Sequence, residues 1–164
     1  MENQQTAATF SIKPIGFINS QLTNLEDCPH QESENAPEAY LELHPSFAEG
    51  IKDIAAGNKL VILTWFHLAD REVLKCYRRN EIGSKEFGVF STRSPNRPNP
   101  IGLHVVTVLE IIDKQRIKIS AMEALNGTPV MTSNHISTKW KKLHVVMNLV
   151  NCIKKLLVIE RRVF

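Results

Sequence analysis

The sequence predicts a mainly β protein built on a small closed or rolled antiparallel sheet. Short segments of alternating or β-branched apolar residues recur along the chain, and turn-forming residues interrupt them every ten residues or so. No βαβ rhythm and no internal repeat is present. With 164 residues, 43% of them hydrophobic and 23% charged, the chain suits one domain whose core needs neither metal nor disulfide.

The elements follow in order. Residues 1–10 are polar and read as a flexible N-terminus. Phe10 to Ile18 alternates and reads as an opening strand, which Lys13-Pro14 sets near a sheet edge. Residues 20–37 are polar, hold Pro29 and Pro37, and read as a long loop. Tyr40 to Leu43 reads as a strand, and Phe47 to Ile54 as one or two helical turns despite Gly50. Leu60 to Phe66 (LVILTWF) is the strongest apolar run, and its β-branching predicts a central strand. The charged stretch His67 to Glu81 suits a short helix or a loop. Phe87 to Phe90 reads as a short strand, Ile101 to Ile111 as a long one, and Arg116 to Ser120 as another. Asp113-Lys114-Gln115 is the natural hairpin turn between the last two. Asn126-Gly127 marks a further turn.

Several function classes lack their signatures. The phosphate-cradling patterns GxGxxG and GxxxxGK[ST] are absent, as are HExxH and GxSxG. Cys28, Cys76 and Cys152 are far apart and odd in number, which points away from a disulfide scaffold or zinc knuckle. The six histidines form no ligand pattern, so no metal is expected. His67 and His44 read as strand-end and loop residues. His30, His67 and His104 are weak candidates for a general base, and a sheet-face role suits His104 better. No basic head precedes an apolar run at the N-terminus and no stretch reaches transmembrane length, which predicts a cytoplasmic protein without membrane attachment.

The proline-rich segment Ser91 to Pro100 stands apart. Pro95, Pro98 and Pro100 forbid a helix interior or a central strand. The segment presents Arg93, Ser94, Asn96, Arg97 and Asn99 on a stiff backbone, which loses little entropy on binding. Arginine offers paired donors to carboxylate or phosphate. Gly88 and Gly102 bracket the loop, as where backbone passes close to a ligand. An anion or nucleotide site is one reading; a rigid turn with salt-bridged arginines is the other.

The run Gly88-Val89-Phe90-Ser91-Thr92-Arg93-Ser94-Pro95-Asn96-Arg97-Pro98-Asn99-Pro100-Ile101-Gly102-Leu103 resembles the signature of the tRNA methyltransferase O family, also called TsaA-like. Pro14-Ile15-Gly16, Pro29-His30-Gln31, Trp65-Phe66-His67 and Leu125 to Val130 resemble further family segments, so the resemblance covers about residues 12–130. It implies a small antiparallel β-barrel, unlike the Rossmann methyltransferases. It also implies S-adenosylmethionine as cofactor, a homodimer with the site near the subunit interface, and no metal. The implied reaction is methylation of N6 of threonylcarbamoyladenosine at position 37 of threonine tRNA. By the same resemblance Arg93, Ser94, Arg97, Asn99 and Gly102 line the cofactor and substrate site, with Arg93, Arg97 and Asn99 as its catalytic set. Pro29 and Gln31 contribute from the N-terminal loop, and Phe90 or Leu103 supplies an apolar wall for adenine. Either arginine could face the methionine carboxylate. A noncatalytic RNA-binding barrel, or an inactive degenerate member of the family, is the alternative.

The pattern breaks after Val130. All 7 glycines and all 8 prolines lie before that point. Residues 131–164 hold seven of the 20 basic residues and one of the 17 acidic ones, so the tail carries +6 and the body −3. The family continues here with an acidic-Ile-Lys-Pro segment. Met131 to Lys142 can be encoded so that reading from the third base yields Asp-Ile-Lys-Pro-Tyr-Leu-Asn-Glu-Val-Glu-Glu. This predicts a frameshift near Val130-Met131, with residues 11–130 as the family domain and 131–164 as a divergent basic tail out of frame. Real divergence into a basic amphipathic helix over Lys139 to Lys155 is the other reading. The basicity that would ordinarily suggest nucleic acid rests on that tail.

Overall fold

Inward and outward side chains alternate along most of the strands, and pairing of the first strand with the last closes the sheet on itself. The computed structural model describes residues 11–77 and 83–136. Eight strands occur among the described residues: β1 (Gly16–Asn19), β2 (Glu38–Leu43), β3 (Lys59–Trp65), β4 (Lys75–Tyr77), β5 (Glu86–Gly88), β6 (Ile101–Ile111), β7 (Arg116–Ala121) and β8 (Pro129–Ile136). Six of them form a closed antiparallel barrel in the order β1-β2-β7-β6-β3-β8, with β8 returning to β1 at Gly16↔Val130. The remaining two, β4 and β5, pair as a small separate hairpin. The barrel and its non-Rossmann character agree with the sequence reading.

The core is the lumen. Leu60 and Ile62 of β3, Val106 and Val108 of β6, Leu41 of β2, Ile117 and Ile119 of β7 and Ile18 of β1 are at most 2% exposed. Each stands two residues from its next inward neighbour, the period that a pleated strand imposes. Burying each such side chain contributes about 1.5–3 kcal/mol. Met122 and Val130 complete the cluster. At Gly16 the strands approach so closely that a Cβ would run into the Glu42 carbonyl group.

Three expectations need correction. The opening strand begins at Gly16 rather than Phe10, and Pro14 lies before it; closure leaves no free edge there. The stretch from His67 is neither helix nor simple loop, because it ends in β4, which pairs Cys76 with Phe87. The strand expected to reach Phe90 stops at Gly88. Val89 is fully buried and starts a 3-10 turn over Val89–Ser91, in which Ser91 Oγ donates to the Gly88 carbonyl (2.8 Å) and Thr92 Oγ1 to that of Val89 (2.9 Å). The helical turns expected over Phe47–Ile54 are a 3-10 helix over Pro45–Ile51. The Asp113 turn forms as read: its Oδ1 accepts from the backbone N–H groups of Gln115 (2.7 Å) and Arg116 (2.9 Å).

Strand β8 runs on through Met131 to Ile136 and pairs with β3, Thr132 opposite Leu63 and Ile136 opposite Lys59. The N-terminus expected over 1–10, and residues 137–164 of the expected tail with its alternative helix, lie outside the described residues.

Candidate functional site

Antiparallel order decides which loops meet. Asn19 pairs with Tyr40, Glu38 with Ala121, and Trp65 with Ile101. The loops over 20–37, 66–100 and 122–128 therefore open at one mouth of the barrel. Pro29 and Gln31 lie in the first of these loops, and Phe90, Arg93, Ser94, Arg97 and Asn99 in the second. Gly102 and Leu103 lie at the start of β6 on opposite faces.

The proline-rich loop is held by its own hydrogen bonds. Arg97 Nε donates to the Ser94 carbonyl (2.7 Å) and a terminal guanidinium nitrogen to that of Thr92 (2.8 Å). The fork that could have bound a carboxylate thus staples the loop. Asn96 Oδ1 accepts from the Asp70 backbone N–H (3.0 Å), and Arg71 Nε donates to the Pro98 carbonyl (3.0 Å) while lying over the Trp65 ring. The Phe66 N–H donates to the Pro100 carbonyl (2.8 Å), anchoring the loop at its exit. Arg93 is different: it is exposed and makes no hydrogen bond or ion pair among the described residues. Phe90 is 78% exposed.

Behind the loop lies a buried polar chain. His104 is 4% exposed and faces the lumen. Its Nε2 lies 2.9 Å from Thr64 Oγ1 on β3, and the Phe66 ring meets it edge to face. Its Nδ1 lies 2.9 Å from Glu123 Oε1, a close contact bent away from hydrogen-bond alignment. The β6–β7 register pairs Val108 with Ile119, and continuing it brings Glu123 opposite His104. A Cβ on Gly102 would run into Thr64 Oγ1, Phe66 Cζ and His104 Nε2. Gly102 therefore has a packing role in the lumen, whereas Leu103 points to the outer face, 54% exposed.

The electrostatics converge on Glu123. Burial alone would raise its pKa, but the His104 contact and charge, then a backbone hydrogen bond and least of all the Arg93 charge together outweigh burial, and the carboxyl is held below its ordinary value. The Cys28 thiol is pushed up, first by burial and then by the charges of Asp27 and Glu123. The loop before Pro29 therefore lies within the field of Glu123. Beyond Glu123, Leu125 joins Leu25 and Leu68 in lining a groove of about 450 Å³. Sequence reasoning missed Glu123 and Thr64. The available signal was that Glu123 is the only acidic residue between Ile117 and Ile136.

Among the described residues no group of three or more His, Cys, Asp or Glu is placed to hold a metal ion, and no helix is long and apolar enough to cross a membrane.

A closed antiparallel barrel with a stapled, arginine-bearing loop at one mouth defines a small β-barrel protein outside the Rossmann class. Residues 17–132 match the tRNA-methyltransferase O N-terminal domain, and the chain belongs to that family. An S-adenosyl-L-methionine-binding protein of Archaeoglobus fulgidus is 36% identical over 120 residues, which cover 73% of this chain and 84% of that protein. A probable S-adenosyl-L-methionine-binding protein of the same organism is 39% identical over 73% of this chain, but only 32% of its own length is covered. The crystal structure of TrmO from Pseudomonas aeruginosa superposes with a TM-score of 0.63 at 29% identity, covering 83% of this chain and 60% of that one. The chain thus spans about a third of one relative and 60% of the TrmO structure.

Proposed function

We propose that this chain binds S-adenosylmethionine and transfers its methyl group to N6 of threonylcarbamoyladenosine at position 37 of threonine tRNA, as a cytoplasmic homodimer. The observation that carries the reading is Arg93, a guanidinium unpaired among the described residues on a stapled loop, within a family whose curated relatives bear the name of this cofactor. The residues fit the group. Arg93 suits a carboxylate, Glu123 is a retained negative charge, and Phe90, near Arg93 along the chain, is an uncovered aromatic face.

When bound, the cofactor supplies an electrophilic methyl group on a sulfonium. The chain's part is to hold the reactants in line and exclude water. Arg93 orients a carboxylate, Ser94 and Asn99 offer polar contacts from the same loop, and Pro29 and Gln31 approach from the N-terminal loop. Arg97 acts by keeping the loop in shape. The homodimer is supported by Ile101, Leu103 and Val105, which alternate on the outer face of β6 and are 46%, 54% and 47% exposed.

Calorimetric titration with S-adenosylmethionine tests cofactor binding, followed by methyl transfer to threonylcarbamoylated tRNA. Cofactor binding with turnover on that tRNA, and not on tRNA lacking the modification, is the expected result. Binding without turnover would favour the noncatalytic barrel. Light scattering on wild type and Leu103→Lys tests the dimer; a wild-type monomer removes it.

A further inference from the structure

We infer that the β4–β5 hairpin is the surface on which the backbone of an RNA docks, with Lys75 and Lys85 meeting its phosphates. The inference rests on the reading of the substrate as tRNA and adds where the protein grips it.

Positive charge is concentrated there. Residues 71–97 hold seven of the thirteen basic residues of positions 1–130 and three of the sixteen acidic ones, a net +4. The other six basic and thirteen acidic residues leave the rest of that span at −7. Residues 20–37 hold Glu26, Asp27, Glu32 and Glu34 and no Lys or Arg, a net −4. Both segments open at the same mouth of the barrel, so the mouth has a positive side and a negative side. A polyanion is drawn to the first and repelled by the second. On the barrel wall Arg116 and Lys118 are already paired, with Glu42 (3.3 Å) and Glu38 (2.7 Å). Lys75 also has an acidic neighbour, Glu86 at 3.2 Å, but its side chain is 68% exposed, and an ion pair in water yields readily to a phosphate.

The hairpin is also tied to the proline-rich loop. The Val89 N–H donates to the Leu74 carbonyl (3.0 Å), Cys76 Sγ lies 3.5 Å from Thr92 Oγ1, and Arg71 Nε donates to the Pro98 carbonyl (3.0 Å). A phosphate held on the hairpin is therefore held in fixed relation to that loop. What the hairpin side offers is charge rather than ring faces, because cations cover the rings: Lys85 Nζ lies 5.5 Å from the centre of the Phe87 ring, and the Arg71 guanidinium 5.4 Å from that of Trp65. Such a surface suits phosphate rather than base edges. Backbone contacts set the position of a nucleic acid without reading its sequence, which leaves the choice of base to the mouth.

The test is fluorescence anisotropy of labelled threonine tRNA, with and without the threonylcarbamoyl group, titrated with the full chain over a series of salt concentrations. Lys75→Gln combined with Lys85→Gln should weaken binding by about tenfold and lower the slope of log affinity against log salt by about two. The loss should be the same for both tRNAs, and S-adenosylmethionine affinity should stay that of wild type. Lys59→Gln combined with Lys114→Gln makes the same change of charge at the opposite end of the barrel, and should stay within about twofold of wild type. Equal weakening by the two pairs means that only overall charge matters, and overturns the docking surface. So does an unchanged hairpin variant, including one where Lys141→Gln combined with Lys142→Gln alone weakens binding and moves the contact to the tail. Methylation of tRNA by wild type together with an unchanged hairpin variant overturns the surface and leaves the proposed function standing. Hairpin-dependent binding without methylation does the reverse. A wild type that binds neither tRNA overturns both.

Discussion

His104 Nε2 lies 2.9 Å from Thr64 Oγ1, joining two buried polar side chains 40 positions apart in the chain. The bond crosses the β3–β6 pair diagonally, on the inner face where Thr64 stands opposite Gly102 and Ile62 opposite His104. A hydroxyl and an imidazole would each be costly in an apolar lumen, and each satisfies the other. Thr64→Val keeps the shape and removes the partner. It should cost about 1–3 kcal/mol, because a buried ring nitrogen is left unsatisfied. Urea unfolding of the two proteins measures this directly, and an unchanged midpoint would mean that water replaces the hydroxyl.

Gly102→Ala addresses the same contact from the backbone side. The added methyl meets Thr64, Phe66 and His104 at once; Thr64 and His104 are buried and only the half-buried Phe66 has room to move. A loss of about 1–3 kcal/mol is expected, the usual range for overpacking. A melting temperature equal to that of wild type would show that the ring of Phe66 swings aside.

Acid should weaken the protein through Glu123. Its folded pKa lies below the unfolded value, which is about 4.3 for glutamate. The resulting stabilisation is complete above that value and is lost as pH falls through the lower folded pKa. Glu123→Gln should therefore be less stable than wild type near neutral pH and show a shallower decline on acidification. Thermal melts between about pH 3 and 7 measure both limbs. Parallel curves for the two proteins would place the acid sensitivity elsewhere.

Cys28 should report on the same charge. Burial is the main reason its thiol resists ionisation, with Asp27 and Glu123 adding to it. Glu123→Gln leaves the burial and removes one charge, so alkylation of Cys28 should accelerate by about two- to threefold. Iodoacetamide labelling followed by peptide mapping reads the rate, with Cys76 as the internal control. An unchanged ratio of the two rates would separate Cys28 from the field of Glu123.

The coding sequence offers a separate check. The composition break at Val130 and the family-like peptide in the shifted frame lead us to expect a one-base discontinuity near codon 131. Independent sequencing of the genomic locus settles it, and an unbroken frame encoding Met131 onward would remove the proposal. The pairing of Met131 to Ile136 with β3 is compatible with either reading, because a strand's backbone hydrogen bonds tolerate many side chains.

Much of the fold was legible because β-strands announce themselves locally. The alternation in Ile101–Ile111 and the Asp113 turn read directly as the strand and hairpin they form. The proline-rich run was legible as rigid, and its residue order alone carried the family. What the sequence could not decide was which polar atoms meet. Arg93 and Arg97 are chemically the same side chain four positions apart, yet among the described residues one is unpaired and the other staples its own loop. Gly102 and Leu103 are adjacent, yet strand alternation sends one into the lumen and the other to the outer face. Glu123 looks like an isolated charge until the β6–β7 register brings it to His104. Strand, turn and family signature are properties of neighbours along the chain. The Thr64–His104–Glu123 chain depends on barrel register and closure, which bring residues distant in sequence within reach of one another.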